Sequence, residues 1–142
     1  MNHRVFVYGT LKEGFANFGI NGGRRVPGTF RTIERYPMFI LAAHGVPWLV
    51  DQPGGGDHVL GQVFAIDDRV LADMDRLERV GEPGWYSRRE IRVGPLESPA
   101  AAPISAFVYF GAADRLSREP HSGPFAEFTA EHNLRYRRPD ER

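Results

Sequence analysis

An apolar run that ends in a polar turn is the feature of this chain with the clearest chemical use. Residues 5–12 read Val-Phe-Val-Tyr-Gly-Thr-Leu-Lys. A glycine directly after an apolar strand lets backbone amides point outward at the strand's end, where they can hold a carboxylate or a developing oxyanion. The hydroxyls of Tyr8 and Thr10 would stand nearby as further donors. The turn therefore predicts a site for a small anion, although an ordinary strand exit would have the same pattern.

A single carboxylate further along the chain supplies a group that can move protons. Residues 71–78 read Leu-Ala-Asp-Met-Asp-Arg-Leu-Glu, the pattern of an amphipathic helix with Glu78 in its last turn. The helix macrodipole disfavours a negative charge at that end, so we expect a carboxylate there to have a raised pKa. The alternative is an exposed glutamate without a chemical role. In the first interpretation, the turn and Glu78 suffice for an acid/base enzyme acting on a small anionic molecule.

Other kinds of site are disfavoured by the composition. The chain has no cysteine, which excludes disulfides, zinc–thiolate sites and a cysteine nucleophile. No G-x-S-x-G motif marks a serine nucleophile, and the 5 histidines do not cluster, so we expect no metal. A net charge of zero argues against a nucleic-acid partner. No apolar run could cross a bilayer and no signal peptide is evident, so we expect no membrane partner and a cytoplasmic location.

The fold that positions these groups is predicted to be rich in short strands. One convincing helix is expected over residues 69–77, and a further short helix within residues 124–132. We therefore expect an α+β fold: a single domain over residues 1–142, built as a small closed antiparallel β-barrel with one main helix and short peripheral helices. The tail, about residues 133–142, is expected to be peripheral. Apolar or alternating segments predict strands at residues 5–8, 26–33, 38–41, 48–50, 59–66, 85–93 and 104–110.

Two tyrosines on predicted strands are further candidates for the site. Aromatic residues on strands are usually part of the core, which is the plain interpretation of both. Tyr109 would join the site if its strand neighbours the first one, and Tyr86 has a weaker claim.

These motifs together resemble the gamma-glutamylcyclotransferase-like superfamily, also known as the AIG2-like family. Its hallmark is a strand ending in Y-G-T-L and a basic residue, matched by residues 8–12, with Gly and Asn following, here Gly14 and Asn17. Its second hallmark is a D-x-L-E-like helix end before a tyrosine-bearing strand, matched by residues 75–78 and 85–89. The segments at residues 108–110 and 133–136 also resemble the family, the latter its gamma-glutamylamine cyclotransferases. The segments at 18–20 and 95–103 depart from it, which leaves the leaving group open.

The resemblance implies a fold and an activity. The fold would be the family's barrel, and the activity would be conversion of a small gamma-glutamyl substrate to 5-oxoproline with release of an amine or amino acid. Glu78 would act as general acid/base and no cofactor would be needed. A monomer and a homodimer are both compatible with the sequence. The residues implied to bind the substrate are Tyr8, Gly9, Thr10, Leu11, Tyr86 and Tyr109.

Two alternatives to an enzyme are compatible with the same residues. A non-catalytic protein of this fold could bind a small acidic metabolite, with Glu78 in a structural role. A protein-interaction module could instead use the tail and an apolar surface around Phe15 and Phe18, which predicts no cavity beside Glu78. A polar pocket between residues 8–11 and Glu78 would separate a small-molecule site from an interaction surface.

Overall fold

Strands are the main regular secondary structure of the described residues, as the alternating pattern predicts. The computed structural model describes residues 1–138. Two short 3₁₀ helices, Phe18–Ile20 and Ala113–Ser117, lie in connections. The strands and α-helices of the described residues are β1 (His3–Val7), β2 (Arg24–Thr32), β3 (Met38–Leu41), β4 (Val46–Leu49), β5 (Leu60–Ile66), α1 (Asp68–Leu77), β6 (Tyr86–Pro95), β7 (Ile104–Gly111), β8 (His121–Ser122) and α2 (Ala130–Arg135). The α+β class predicted from the sequence is confirmed.

Five strands pair in the order β1-β5-β2-β6-β7, and this order closes because β1 also pairs with β7. Four of the five neighbouring pairs are antiparallel, whereas β1 and β7 run parallel, with Val5 opposite Phe107. The expectation of an antiparallel arrangement throughout is therefore wrong. The reason is geometric: strand directions cannot alternate all the way round a ring of five. The parallel pair brings the end of β1 beside β7.

A second sheet, in the order β4-β3-β8, packs against the first. All four residues of β4 are buried, and Trp48 is fully buried against Gly111 of β7. A Cβ at Gly111 would lie 2.3 Å from the Trp48 ring, so only glycine allows this approach. β4 starts at Val46, two residues before the predicted start, because its pairing with β3 decides where it begins.

Helix α1 carries the groups of interest at its C-terminal end. Its N-terminus is capped by Asp67, whose Oδ1 accepts a hydrogen bond from the Val70 amide at 2.9 Å. Its buried face consists of Val70, Leu71 and Met74. The helix ends at Leu77, as predicted. No helix within residues 1–138 combines the length and apolar character needed to span a membrane.

The C-terminal segment differs from the expectations. The short helix lies at Ala130–Arg135 rather than within residues 124–132, because Thr129 provides the capping side chain. After it, the Arg137 amide donates to the His44 carbonyl at 2.7 Å, so the chain folds back over the turn before β4. Residues 136–138 therefore contact the rest of the fold. The peripheral tail stays a prediction, and its last residues, 139–142, lie outside the described residues.

Candidate active site

A cavity of ≈ 190 Å³ opens where the end of β1, the end of α1, β4 and the C-terminal segment meet. Its wall brings together residues far apart in the chain, including Glu78 and the turn after β1. The interaction-module alternative predicted no cavity beside Glu78, so the cavity argues against it. Phe15 and Phe18 are half-buried and pack against Phe128 and Phe64 rather than forming an open apolar surface. Every residue predicted to be catalytic or to bind the substrate lines this cavity: Tyr8, Gly9, Thr10, Leu11, Glu78, Tyr86 and Tyr109.

The turn after β1 presents backbone donors to the cavity. The Lys12 amide donates to the Gly9 carbonyl at 3.1 Å, which closes the turn. Within residues 1–138, the amides of Gly9, Thr10 and Leu11 have no acceptor at hydrogen-bond distance. Gly9 does not adopt a positive φ; instead, a Cβ there would lie 2.6 Å from Pro47 Cγ. Glycine is therefore needed because the turn passes so close to β4.

Glu78 caps the C-terminus of α1, and its carboxylate is half-buried beside the cavity. No hydrogen bond or ion pair joins this carboxylate to any residue of the described chain. Burial, which disfavours the charged form, raises its pKa from 4.5 to about 8. Burial therefore favours the uncharged carboxyl form in the free site near neutral pH.

The three tyrosines of the site have their hydroxyl protons engaged within the protein. Tyr8 donates to the Tyr109 carbonyl at 2.7 Å, and Tyr86 donates to the Pro47 carbonyl at 2.5 Å. Tyr109 donates to Asp75 Oδ1 at 2.7 Å. Burial raises the pKa of all three hydroxyls. The Asp75 carboxylate raises the pKa of Tyr109 further, and a charged Glu78 adds a smaller increase to all three. Because a phenol has one proton, the Tyr8 hydroxyl proton is engaged in the ligand-free protein, and its role as a donor to a bound anion stays a prediction.

Thr10 differs because its hydroxyl acts as an acceptor. Asn17, which is buried, donates from Nδ2 to Thr10 Oγ1 at 2.8 Å and to the Tyr136 hydroxyl at 3.1 Å. Arg138 donates from Nη2 to Asn17 Oδ1 at 3.0 Å. The hydroxyl proton of Thr10 remains available to a ligand. Tyr136 and Arg138 line the cavity but were not predicted. The resemblance of residues 133–136 was the available signal for Tyr136, and no comparable signal marked Arg138.

Arg79 and Trp85 are two further cavity residues that the sequence analysis did not single out. The Arg79 guanidinium lies over the Trp85 ring, 4.5 Å from its centroid. Arg79 also has a positive φ of 52°, which is uncommon for a residue with a side chain. The position of Arg79 directly after Glu78 was the available signal.

Comparisons with known proteins agree over nearly the whole chain. A family model described as gamma-glutamyl cyclotransferase, AIG2-like, matches residues 5–127. The chain is 36% identical over 147 residues to a gamma-glutamylaminecyclotransferase of Homo sapiens, which covers 93% of this chain and 94% of that protein. It is 34% identical over 114 residues to the Rattus norvegicus protein of the same name, covering 74% of this chain and 75% of that one. The crystal structure of an AIG2-like protein from Mus musculus superposes with a TM-score of 0.79 at 31% identity, covering 99% and 98% of the two chains.

Proposed function

Because this chain belongs to the gamma-glutamyl cyclotransferase, AIG2-like family, we propose that it converts a gamma-glutamyl amine to 5-oxoproline and the free amine, with Glu78 as general acid/base. One observation carries the assignment of roles: a half-buried carboxylate without a partner in residues 1–138 shares a cavity with the unpaired amides of residues 9–11. The homologues named gamma-glutamylaminecyclotransferase support the reaction.

The proposed reaction needs no nucleophile from the protein. The α-amine of the substrate is the nucleophile and its own γ-carbonyl is the electrophile, so the two close into a five-membered lactam. Holding them in an attacking geometry is worth an effective molarity on the order of 10⁵ M or more. A cavity of ≈ 190 Å³ with rigid aromatic walls is suited to holding a small molecule folded in this way.

Glu78 is the group available to move the protons. Its carboxylate takes a proton from the substrate α-ammonium, and the freed amine attacks the γ-carbonyl. The glutamic acid protonates the leaving nitrogen as the bond from the γ-carbon to that nitrogen breaks. The regenerated carboxylate then takes the second proton from the lactam nitrogen. The amine takes up a second proton on release. A pKa near 8 suits this shuttle better than the ordinary value of 4.5, because proton transfer in either direction then costs little near neutral pH.

The turn after β1 would stabilise the charge that develops on the γ-oxygen or hold the substrate carboxylate. The amides of Gly9, Thr10 and Leu11 are the unpaired donors on that wall, and Thr10 has a hydroxyl proton to offer. One such donor aimed at an oxyanion is worth about 3 kcal/mol. Tyr8, Tyr86 and Tyr109 would contribute their rings and hydroxyl oxygens, since their protons are engaged.

The test is Glu78→Gln, assayed for 5-oxoproline released from gamma-glutamyl amines. We expect a loss of about 10²- to 10⁴-fold in kcat with a normally folded protein, because the amide keeps the shape but cannot shuttle protons. Glu82→Gln is the matched control, because Glu82 is exposed and does not line the cavity. Full activity of Glu78→Gln would overturn the role of Glu78. A thermal shift by 5-oxoproline without turnover by the unmodified protein would favour the metabolite-binding alternative.

A further inference from the structure

A second cavity of ≈ 150 Å³ adjoins the first. The two cavities share Val46, Arg79 and Trp85 as wall residues. Neither Glu78 nor any residue of the turn at 8–11 lines the second cavity. The second cavity therefore lies beside the first without sharing its candidate acid/base or backbone donors, and could take only a part of a substrate that does not react.

Arg79 occupies a backbone position that would suit glycine better. The Arg79 amide donates to the Arg76 carbonyl at 3.2 Å, and the Val80 amide donates to the Asp75 carbonyl at 3.0 Å. These two hydrogen bonds form a Schellman motif, which directly follows the cap residue Glu78. The residue in this position takes the left-handed conformation, here with φ 52°, and glycine is the usual choice. Local structure therefore does not explain an arginine here, and strain of this kind is common at binding sites.

The Arg79 guanidinium has no counterion within residues 1–138. Arg115, which also lines the second cavity, is paired with Glu119 at 2.5 Å. Arg79 has no ion pair with any residue among 1–138, and its contact is the face of Trp85 at 4.5 Å. The second cavity therefore has one positive charge, that of Arg79, which Glu119 does not neutralise because Glu119 is paired with Arg115. A planar guanidinium in this setting is suited to a carboxylate.

We propose that Arg79 is a specificity-determining residue that binds a carboxylate on the leaving amine, so that the preferred substrates carry an amino acid, rather than a simple alkylamine, on the γ-carbonyl. This inference rests on the proposed function. The glutamyl half lies in the first cavity, with its ammonium at Glu78. The leaving part extends past the shared wall, and its carboxylate meets the guanidinium.

Two substrates of matched size test the inference: gamma-glutamyl-4-aminobutyrate, which ends in a carboxylate, and the gamma-glutamyl conjugate of 4-aminobutanamide, which ends in a neutral amide. The quantity measured is the ratio of their kcat/KM values. We expect the unmodified protein to prefer the carboxylate and Arg79→Gln to lower the ratio by about 10- to 100-fold, because a charge-assisted hydrogen bond is lost. Arg79→Lys should restore part of the preference, since the charge remains.

Two further variants serve as controls for this experiment. Arg79→Gly, which the left-handed backbone accepts, should lower the ratio as Arg79→Gln does, so a folding defect cannot explain the effect. Arg69→Gln is the control, because Arg69 is exposed at the start of α1 and lines neither cavity.

The outcomes separate this inference from the proposed function. If both substrates are converted and Arg79→Gln leaves their ratio unchanged, the role of Arg79 is wrong and the proposed function stands. If Arg79→Gln weakens inhibition by 5-oxoproline as much as it lowers kcat/KM, Arg79 serves the glutamyl half and the inference is also wrong. If the unmodified protein converts no gamma-glutamyl compound, both proposals fall.

Discussion

The Tyr109 hydroxyl donates a hydrogen bond to Asp75 Oδ1 at 2.7 Å, which ties β7 to α1 one turn before Glu78. Asp75 also pairs with Arg88 of β6 through its other oxygen. Two strands of the five-stranded sheet thus hold the last turn of the helix, and the position of Glu78 depends on this connection. The aromatic ring of Tyr109 lines the cavity while its hydroxyl positions the helix.

Tyr109→Phe should therefore affect both stability and activity. Loss of the hydrogen bond is expected to cost about 1–2 kcal/mol, a decrease of roughly 2–6 °C in Tm. Asp75 would then keep only its pairing with Arg88, which loosens the last turn of α1, so kcat/KM should also fall. Tyr36→Phe is the control: its hydroxyl donates to Glu34 Oε2 at 3.1 Å, away from the cavity, so stability should fall without a loss of activity. Equal activity of both variants would contradict the positioning role.

The pH profile of kcat/KM should show an acidic limb that belongs to Glu78. The proposed mechanism needs its carboxylate, and in the free protein burial raises the pKa to about 8. The ionised fraction falls tenfold for each pH unit below that value, so kcat/KM should decline with the same slope. The acidic limb is measured from initial rates at on the order of eight pH values between about 5.5 and 9.5. A flat profile through pH 8 would mean that another group accepts the proton.

Protein stability should decrease as the pH rises toward 8, and Glu78→Gln should remove this decrease. The folded-state pKa of about 8 lies above the ordinary value of 4.5, so between these values the folded protein holds a proton that the unfolded chain has released. The stabilisation is complete below pH 4.5 and is lost as the pH rises through the folded-state value. The free energy of unfolding of Glu78→Gln relative to the unmodified protein should therefore rise by up to about 1.4 kcal/mol per pH unit.

Urea denaturation at several pH values measures this difference, because each curve gives the free energy of unfolding directly. The effect should accumulate over the roughly three pH units between about pH 5 and 8. If the difference in free energy of unfolding between the two proteins stayed constant over this range, the pKa of Glu78 would not be raised.

Gly9→Ala should displace the turn after β1 and lower kcat/KM by about 10- to 100-fold, since small misplacements of catalytic donors are costly. The added Cβ would lie 2.6 Å from Pro47 Cγ, a distance that the structure cannot accommodate. The double variant Gly9→Ala, Pro47→Ala should recover part of the activity, because Cγ is then absent. Gly19→Ala is the control, since a Cβ there meets nothing within 4 Å. Lack of recovery in the double variant would argue against this contact as the cause.

Truncation of the C-terminal segment should weaken substrate binding. A chain ending at Arg135 lacks Tyr136 and Arg138, which line the cavity and bond to Asn17. We expect KM to rise about tenfold, the equivalent of one charge-assisted hydrogen bond. A chain ending at Arg138 keeps both residues and is the matched control. An equal KM for the two truncated chains would show that these residues have no part in binding.

Local patterns were enough to predict the parts of the site that lie within a few residues of each other. Residue types and spacing predicted the turn at 8–11, the end of α1 at Leu77 and the candidate role of Glu78. The α+β class followed from the number of short alternating segments around one helix. These features depend on backbone preferences and apolar periodicity, which act between neighbours in the chain.

Contacts between distant residues required the folded chain. Asn17 and Arg138 are 121 positions apart, yet their hydrogen bond makes the C-terminal segment part of the site. Three other features also join residues that are distant in the chain. They are the parallel pairing of β1 with β7, the hydrogen bonds of the tyrosine hydroxyls within the protein, and the second cavity beside Arg79. Such contacts depend on how strands close and pack in three dimensions. No local preference encodes them, because the partners are brought together by the burial of apolar surface across the whole domain.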